Sequence, residues 1–325
     1  MKKVTCLISM GLILGASLFA NGQQEVTVGG TKVGGYNVAY ITPSLDVPFW
    51  RYIRHGIESE VKILNANSSV VTYDSKNSAN TQSSNVQDAI TKQVDAIIVS
   101  PTDSASCTNV LELAEDAGIP VVICDIGTDG GTYAAFISTN NKAGAKELGE
   151  YVAMKLKKGD EVAQIALNQA RINGVLRKEG FNEGIATVGA VDVGFKQMEK
   201  VNRQEGETYT QDLITAHPEL KAIFCHSEDP SMGCCSALES AGRTDVMVVG
   251  FDCSPDVVEA IQDGRMLATA AQQPVLMGRK AADCIDKILQ GETVEKEIKM
   301  NTLLVTQDNI GSIYTTLKEV ALTDE

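Results

Sequence analysis

The feature that most constrains the fold is a regular alternation of two hydrophobic periods. Short apolar runs occupy residues 38–41, 70–73, 96–99, 121–124, 134–137, 162–167, 188–193, 222–225, 246–251 and 267–270. Between most of them lie stretches of about 11–18 residues with helical spacing. In the first, Trp50, Ile53, Ile57, Val61 and Leu64 recur at intervals of three and four, an amphipathic stripe. Gly118, Gly242, Gly264 and Gly291 each follow a helical pattern and precede the next run, where a left-handed residue closes a helix. Pro255 and Asp256 stand where a helix begins. Strand and helix in alternation build parallel sheets covered on both faces. About ten strands exceed one ordinary open sheet. The expectation is therefore two similar doubly wound α/β domains, and 325 residues suit two cores better than one.

The amino end reads differently. Lys2 and Lys3 precede an apolar run over 7–20, and Ala20-Asn21-Gly22 has small-residue cleavage character. This predicts a signal peptide over 1–22. The run is short for a membrane span, which needs about 20 residues. Cys6 lies before it, so no lipid anchor is expected. Residues 23–35, with paired glycines, read as a flexible leader. No later segment has 18 uninterrupted apolar residues, so the exported chain should be soluble. The net charge of −14 disfavours nucleic acid and anionic membranes, which need concentrated Lys and Arg.

Seven cysteines follow Cys6: Cys107, Cys124, Cys225, Cys234, Cys235, Cys253 and Cys284. The number is odd and no C-x-x-C occurs. Several sit in apolar runs, as small core residues do. His55, His217 and His226 lack metal-ligand spacing, and the common nucleophile, zinc-protease and phosphate-loop motifs are absent. Asp125 and Asp252 could imitate a glycosidase pair. A binding role suits them better, so no enzyme activity, cofactor or metal is expected.

Parallel α/β sheets bind ligands at the carboxyl ends of their strands. The residues there are Thr42 to Trp50, Ser100 to Asp103, Asp125, Ser138 to Asn141, Asn168 to Arg177, His226 to Asp229, Asp252 and Gln272-Gln273. Carboxylates, amides and an arginine satisfy hydroxyl groups, while Phe49-Trp50 offers aromatic faces for C–H packing. That mixture fits a neutral polyhydroxylated ligand held between two halves that close by a hinge.

The same segments resemble the periplasmic sugar-binding proteins of ABC importers, in the ribose-binding-like branch of the type I fold. The resemblance spans about 36–305 through VPFW (47–50), NVQDAI (85–90), SPTDS (100–104), GIPVV (118–122), RKEGF (177–181), TAHPEL (215–220), DVMVVGFDCSPD (245–256) and QQPVLMG (272–278). It implies a multi-segment hinge, with one domain at 36–139 plus 273–301 and the other at 140–272 plus 302–325. It also implies ligand roles for Phe49, Trp50, Ser100, Asp125, Arg177, Ser227, Asp252 and Gln272. Asp125 would come from the first domain, Arg177 and Asp252 from the second. Where the ribose-like pattern has Asn, Arg and Asn, this chain has Val47, Ile126 and Ser227. A pocket that loses such groups loses ribose specificity, which points to another monosaccharide or a sugar alcohol. The implied protein is a monomeric periplasmic binder that delivers its ligand to an ABC permease. The closed form would serve equally as the signal to a chemoreceptor or histidine kinase. A sugar-responsive repressor would need a DNA-binding segment where the signal peptide stands.

Overall fold

A computed structural model describes residues 34–322. The proposed signal peptide and most of the leader lie outside them. The first sheet contains β1 (Asn37–Thr42), β2 (Ser69–Asp74), β3 (Ala96–Val99), β4 (Val121–Cys124) and β5 (Ala135–Thr139). They are linked through α1 (Pro48–Leu64), α2 (Ala79–Thr91) and α3 (Ser104–Asp116), with β4 running directly to β5. The chain then enters the second sheet through α4 (Asn141–Ala153). Its strands are β6 (Glu161–Ala166), β7 (Val191–Gln197), β8 (Leu220–Cys225), β9 (Met247–Phe251) and β10 (Ala268–Ala271). The intervening helices are α5 (Ile172–Ile185), α6 (Arg203–Ala216), α7 (Glu228–Ser240) and α8 (Pro255–Gln262). After α9 (Pro274–Leu289), β11 (Glu297–Met300) returns to the first sheet, β12 (Leu303–Thr306) to the second, and α10 (Ile310–Val320) closes the chain.

Each sheet has six strands, ordered β11-β5-β4-β3-β1-β2 and β12-β10-β9-β8-β6-β7. Among the described residues only the β10–β12 pair is antiparallel. The main chain therefore passes between sheets at β5/β6, β10/β11 and β11/β12. Within β1, Val38 and Tyr40 enter one apolar cluster and Ala39 and Ile41 another. That alternation places core on both faces of the sheet. β3 (AIIV) and β4 (VVIC) are buried at every position, as central parallel strands are.

Helix starts follow the expected chemistry. Asp103 and Ser254 cap α3 and α8 by accepting from the amides of Ser106 and Val257. Prolines occupy the first turns of α1, α8 and α9. Gly118, Gly242, Gly264 and Gly291 all have positive φ. Trp50, Ile53, Ile57 and Val61 are buried along α1, while Leu64 is half-buried at its end.

Two expectations need correction. Among the described residues twelve strands form, six to a sheet, rather than about ten: β11 (EIKM) and β12 (LLVT) were not anticipated. Both are four-residue edge strands with partly exposed side chains, too short and mixed for a clear period. The run expected at 188–193 forms its strand at 191–197 instead. Val188 belongs to the turn after α5, where its amide donates to the Ile185 carbonyl.

All seven described cysteines are free and buried. Cys124 and Cys284 join one first-sheet cluster, Cys107 another, and Cys225, Cys234, Cys235 and Cys253 a second-sheet cluster.

Candidate functional site

Asp125 and Asp252 occupy equivalent places in the two halves. Each directly follows a central strand, β4 or β9, and each holds left-handed backbone, with φ of 76° and 75°. Left-handed aspartates are uncommon and cluster where function demands a particular side-chain direction. Asp252 is not the helix cap that its Asp-Cys-Ser-Pro setting could suggest, because Ser254 fills that position.

A buried polar network surrounds Asp252. Its carboxylate accepts from Ser227 Oγ at 3.1 Å and from Gln272 Nε2 at 2.5 Å. Gln272 Oε1 in turn accepts from Thr139 Oγ1 at 2.5 Å. Thr139 ends β5 in the first sheet, so this string spans the connection between the two sheets. Arg177 Nη1 lies 3.8 Å from Asp252 Oδ2. The Arg177 side chain is only 2% exposed. Its Nε donates to Asn141 Oδ1 at 2.8 Å and its Nη1 to the His226 carbonyl at 2.5 Å. The guanidinium also lies over the Phe251 ring, 3.8 Å from its centroid. Arg177 is thus held by the second domain itself on three sides. Burial pushes its pKa down, against the attraction of Asp252 and Asp125.

Asp125 is placed differently. Its Oδ1 is buried and has no hydrogen-bond partner. Burial pushes its pKa up to about 6, with Arg177 opposing and Asp252 reinforcing the shift. These couplings join a first-sheet carboxyl to second-sheet charges across the interface between the halves. The buried hydroxyls of Thr42, which ends β1, and Ser104, which opens α3, lack partners too.

The remaining expected residues are all near strand ends. Ser100 is fully buried, with its hydroxyl 3.3 Å from the Tyr40 hydroxyl. Gln82 fixes its loop by donating to the Ser100 carbonyl at 2.9 Å and accepting from the Thr102 amide at 3.0 Å. Phe49 and Trp50 are edge-to-face at 4.9 Å and belong to the cluster containing Tyr40, Ile53 and Ile126. Ser227 directs its hydroxyl to Asp252. His226 is buried and neutral, because burial and the nearby Arg177 both lower its pKa. Its Nε2 pairs with Gln164 Oε1 at 3.0 Å. The Gln164 amide group donates to Asn182 and Asp192, so the imidazole supplies the proton.

Sequence reasoning set Asn141 among the strand-end residues but gave it no role of its own; it links Arg177 to the Thr139 carbonyl. Its position two residues beyond β5 was the available signal. Among the described residues, no three His, Cys, Asp or Glu side chains form a metal-binding group. A cavity of about 480 Å3 in the second domain is lined by Val246 to Val248, Met266 and Leu267. It therefore opens at the amino ends of β9 and β10, the opposite end from the polar network. Strand-end chemistry favours the network as the site.

A family profile described as a periplasmic binding protein domain matches residues 38–293. The chain belongs to the periplasmic binding protein family. Within that family it is ribose-binding-like: the ribose import binding protein RbsB of Escherichia coli (strain K12) is 32% identical, over 94% of this chain and 99% of that protein. An ABC transporter solute-binding protein from Bacillus halodurans C-125, solved with bound myo-inositol, superposes with a TM-score of 0.80 at 25% identity. The match covers 87% of this chain and 99% of that one. An Agrobacterium vitis solute-binding protein with bound D-fucose gives the same TM-score at 27% identity, covering 87% and 99%. The family fold of two α/β domains is the one described above.

Proposed function

We propose that this periplasmic binding protein captures a monosaccharide or cyclic polyol between its two domains and delivers it to an ABC permease. The observation that carries the reading is the buried, unpartnered Asp125 Oδ1 at the end of β4, whose carboxyl feels the charges of Arg177 and Asp252 in the Asp252–Gln272–Ser227 network. A sugar hydroxyl donates to a carboxylate and accepts from an amide or guanidinium, so one ligand engages both walls. The relatives that bind ribose, myo-inositol or D-fucose support the ligand class. Val47, Ile126 and Ser227 argue against ribose itself. Ile126 is fully buried in the first-sheet core, and the Ser227 hydroxyl is occupied by Asp252. Neither leaves a spare donor for a ligand.

The reading includes export by a signal peptide over 1–22, a monomer, binding without chemical turnover or metal, and domain boundaries at 139/140, 272/273 and 301/302. A ligand that binds only the folded state raises its melting temperature by mass action, by about 2.7 kcal/mol of added stability at a hundred times Kd. A thermal-shift screen of pentoses, hexoses, deoxysugars and cyclitols after EDTA treatment should therefore yield one clear stabiliser. Protein that responds to none of these, but does respond to another solute class, would sink the sugar reading.

A further inference from the structure

We propose that Asn141 is a positioning residue for Arg177: it fixes the guanidinium so that Nη2 is the nitrogen left for a ligand hydroxyl. The proposal rests on the sugar-binding reading above and deepens it.

A guanidinium donates from three nitrogens, and in Arg177 two of them are engaged. Nε donates to Asn141 Oδ1 at 2.8 Å and Nη1 to the His226 carbonyl at 2.5 Å. Among the described residues Nη2 has no hydrogen-bond partner, and it is not sealed from solvent. Nη1 also faces Asp252 Oδ2, but at 3.8 Å it is beyond hydrogen-bond range. The guanidinium is a rigid plane. Two anchors on its rim fix its direction within that plane, and the Phe251 ring, 3.8 Å from the guanidinium carbon, fixes the plane itself. Nη2 is thereby set in place before any ligand arrives, which removes an ordering cost from binding. One anchor is a main-chain carbonyl and one is an aromatic face. Among the described residues Asn141 is the only side chain that hydrogen-bonds Arg177.

Close helix packing brings the two residues together. A methyl group built on Gly180 of α5 would overlap the Lys142 carbonyl of α4. Lys142 follows Asn141 directly, and Gly180 lies one helical turn after Arg177. An asparagine at a helix start ordinarily caps it by accepting from an amide of the first turn. Asn141 does otherwise: its Oδ1 takes Arg177, and its amide group donates to the Thr139 carbonyl at 3.1 Å. That second bond fixes the polarity of the amide, because turning it over would set oxygen against oxygen and N–H against N–H. Thr139 acts on the other charge as well. Its hydroxyl donates to Gln272 Oε1 at 2.5 Å, which turns the Gln272 amide nitrogen toward Asp252. The passage from β5 to α4 thus orients Arg177 through Asn141 and Asp252 through Gln272.

The test uses the full chain with Asn141→Ala and Asn141→Asp, and two readouts. In nitrogen-15 spectra of the ligand-free wild type, the Arg177 Nε–H should exchange slowly with water. That exchange should quicken in Asn141→Ala and stay slow in Asn141→Asp, which keeps an acceptor in place. Titration calorimetry with myo-inositol, D-fucose and D-ribose should show affinity for the tightest of them falling by about tenfold or more in Asn141→Ala. The aspartate variant should recover part of it. Adding that sugar to wild type should slow the Nη2 hydrogens and leave the Nε–H resonance nearly in place. Wild-type affinity in Asn141→Ala, or unchanged Nε–H exchange there, overturns the proposal, as does a sugar that displaces the Nε–H resonance instead of engaging Nη2. Should the alanine variant not fold, the wild-type spectra with and without sugar decide the point. If wild-type protein binds none of the three sugars, the sugar reading itself is in question, and the ligand-free exchange still decides whether Asn141 holds Arg177.

Discussion

Asp125 and Asp252 share a backbone position but not a fate. Asp252 is compensated by Ser227, Gln272 and Arg177, whereas Asp125 is buried with one oxygen unpartnered. The pKa of Asp125 rises from an ordinary 3.8 to about 6 in the folded chain. A carboxyl that binds its proton more tightly when folded favours the folded state below pH ~4, and that contribution fades as pH rises through about 6. Near neutrality the closed arrangement carries a buried charge costing on the order of 3 kcal/mol, an upper limit for the ligand-free protein because opening exposes the carboxyl to water. Asp125→Asn should therefore melt higher than wild type at pH 8 without ligand, and the difference should vanish near pH 4. Scanning calorimetry at the two pH values checks this, and equal melting at pH 8 would refute it. The same variant should bind sugar more weakly, a site traded against stability. The sequence marked Asp125 by its place after an apolar run. It could not show that Arg177 Nε and Nη1 would be held by Asn141 and the His226 carbonyl, because those partners arrive from distant elements.

At the scale of elements, legibility followed burial. Central strands such as AIIV and VVIC announced themselves, because both faces are apolar. The edges β7, β11 and β12 were displaced or missed, because half-exposed strands carry mixed side chains. Helix packing was hidden for another reason. α4 and α5 meet where glycines leave no room, and a glycine inside a helix looks like a weakness in sequence. A methyl group at Gly184 would lie 2.5 Å from the Lys146 carbonyl oxygen and 2.7 Å from the Glu150 amide nitrogen. Both are backbone atoms and cannot rotate away. Alanine has better helix propensity by about 1 kcal/mol, but forcing the helices apart costs typically 1–3 kcal/mol. Gly184→Ala should thus lower stability in denaturant melts by a net amount of up to about 2 kcal/mol. Gly311, in α10 with nothing within 4 Å of an added methyl, is the contrast. Gly311→Ala should leave stability unchanged or raise it. Equal effects at the two positions would mean that close packing of α4 on α5 does not govern this joint.

The whole molecule is two covered sheets joined by three short passages of chain, and that arrangement determines how it should move. The string from Thr139 through Gln272 to Asp252 lies at a passage, so it resists separation only locally. Farther from the hinge, Gly127 approaches Ile172, and Asp125 feels Arg171 and Arg177 without pairing to either. The cores of the two domains are independent clusters, each made from its own sheet. Opening would therefore break little apolar packing while giving Asp125 access to water, which relieves its buried charge. Without ligand, the open form should be well populated in solution. A sugar that fills the gap between Asp125 and the second-domain donors reverses this, because its hydrogen bonds exist only when both walls are present. A ligand shifts the population by its differential affinity for the two forms. Small-angle scattering should then show the radius of gyration falling on saturation, toward the value expected of the closed arrangement described here. Trp50, the one tryptophan of the chain, should change fluorescence over the same titration if closure reaches the start of α1, where it packs edge-to-face on Phe49. An unchanged radius at a saturating sugar concentration would show that the two sheets form one rigid body, and that the site fills without closure.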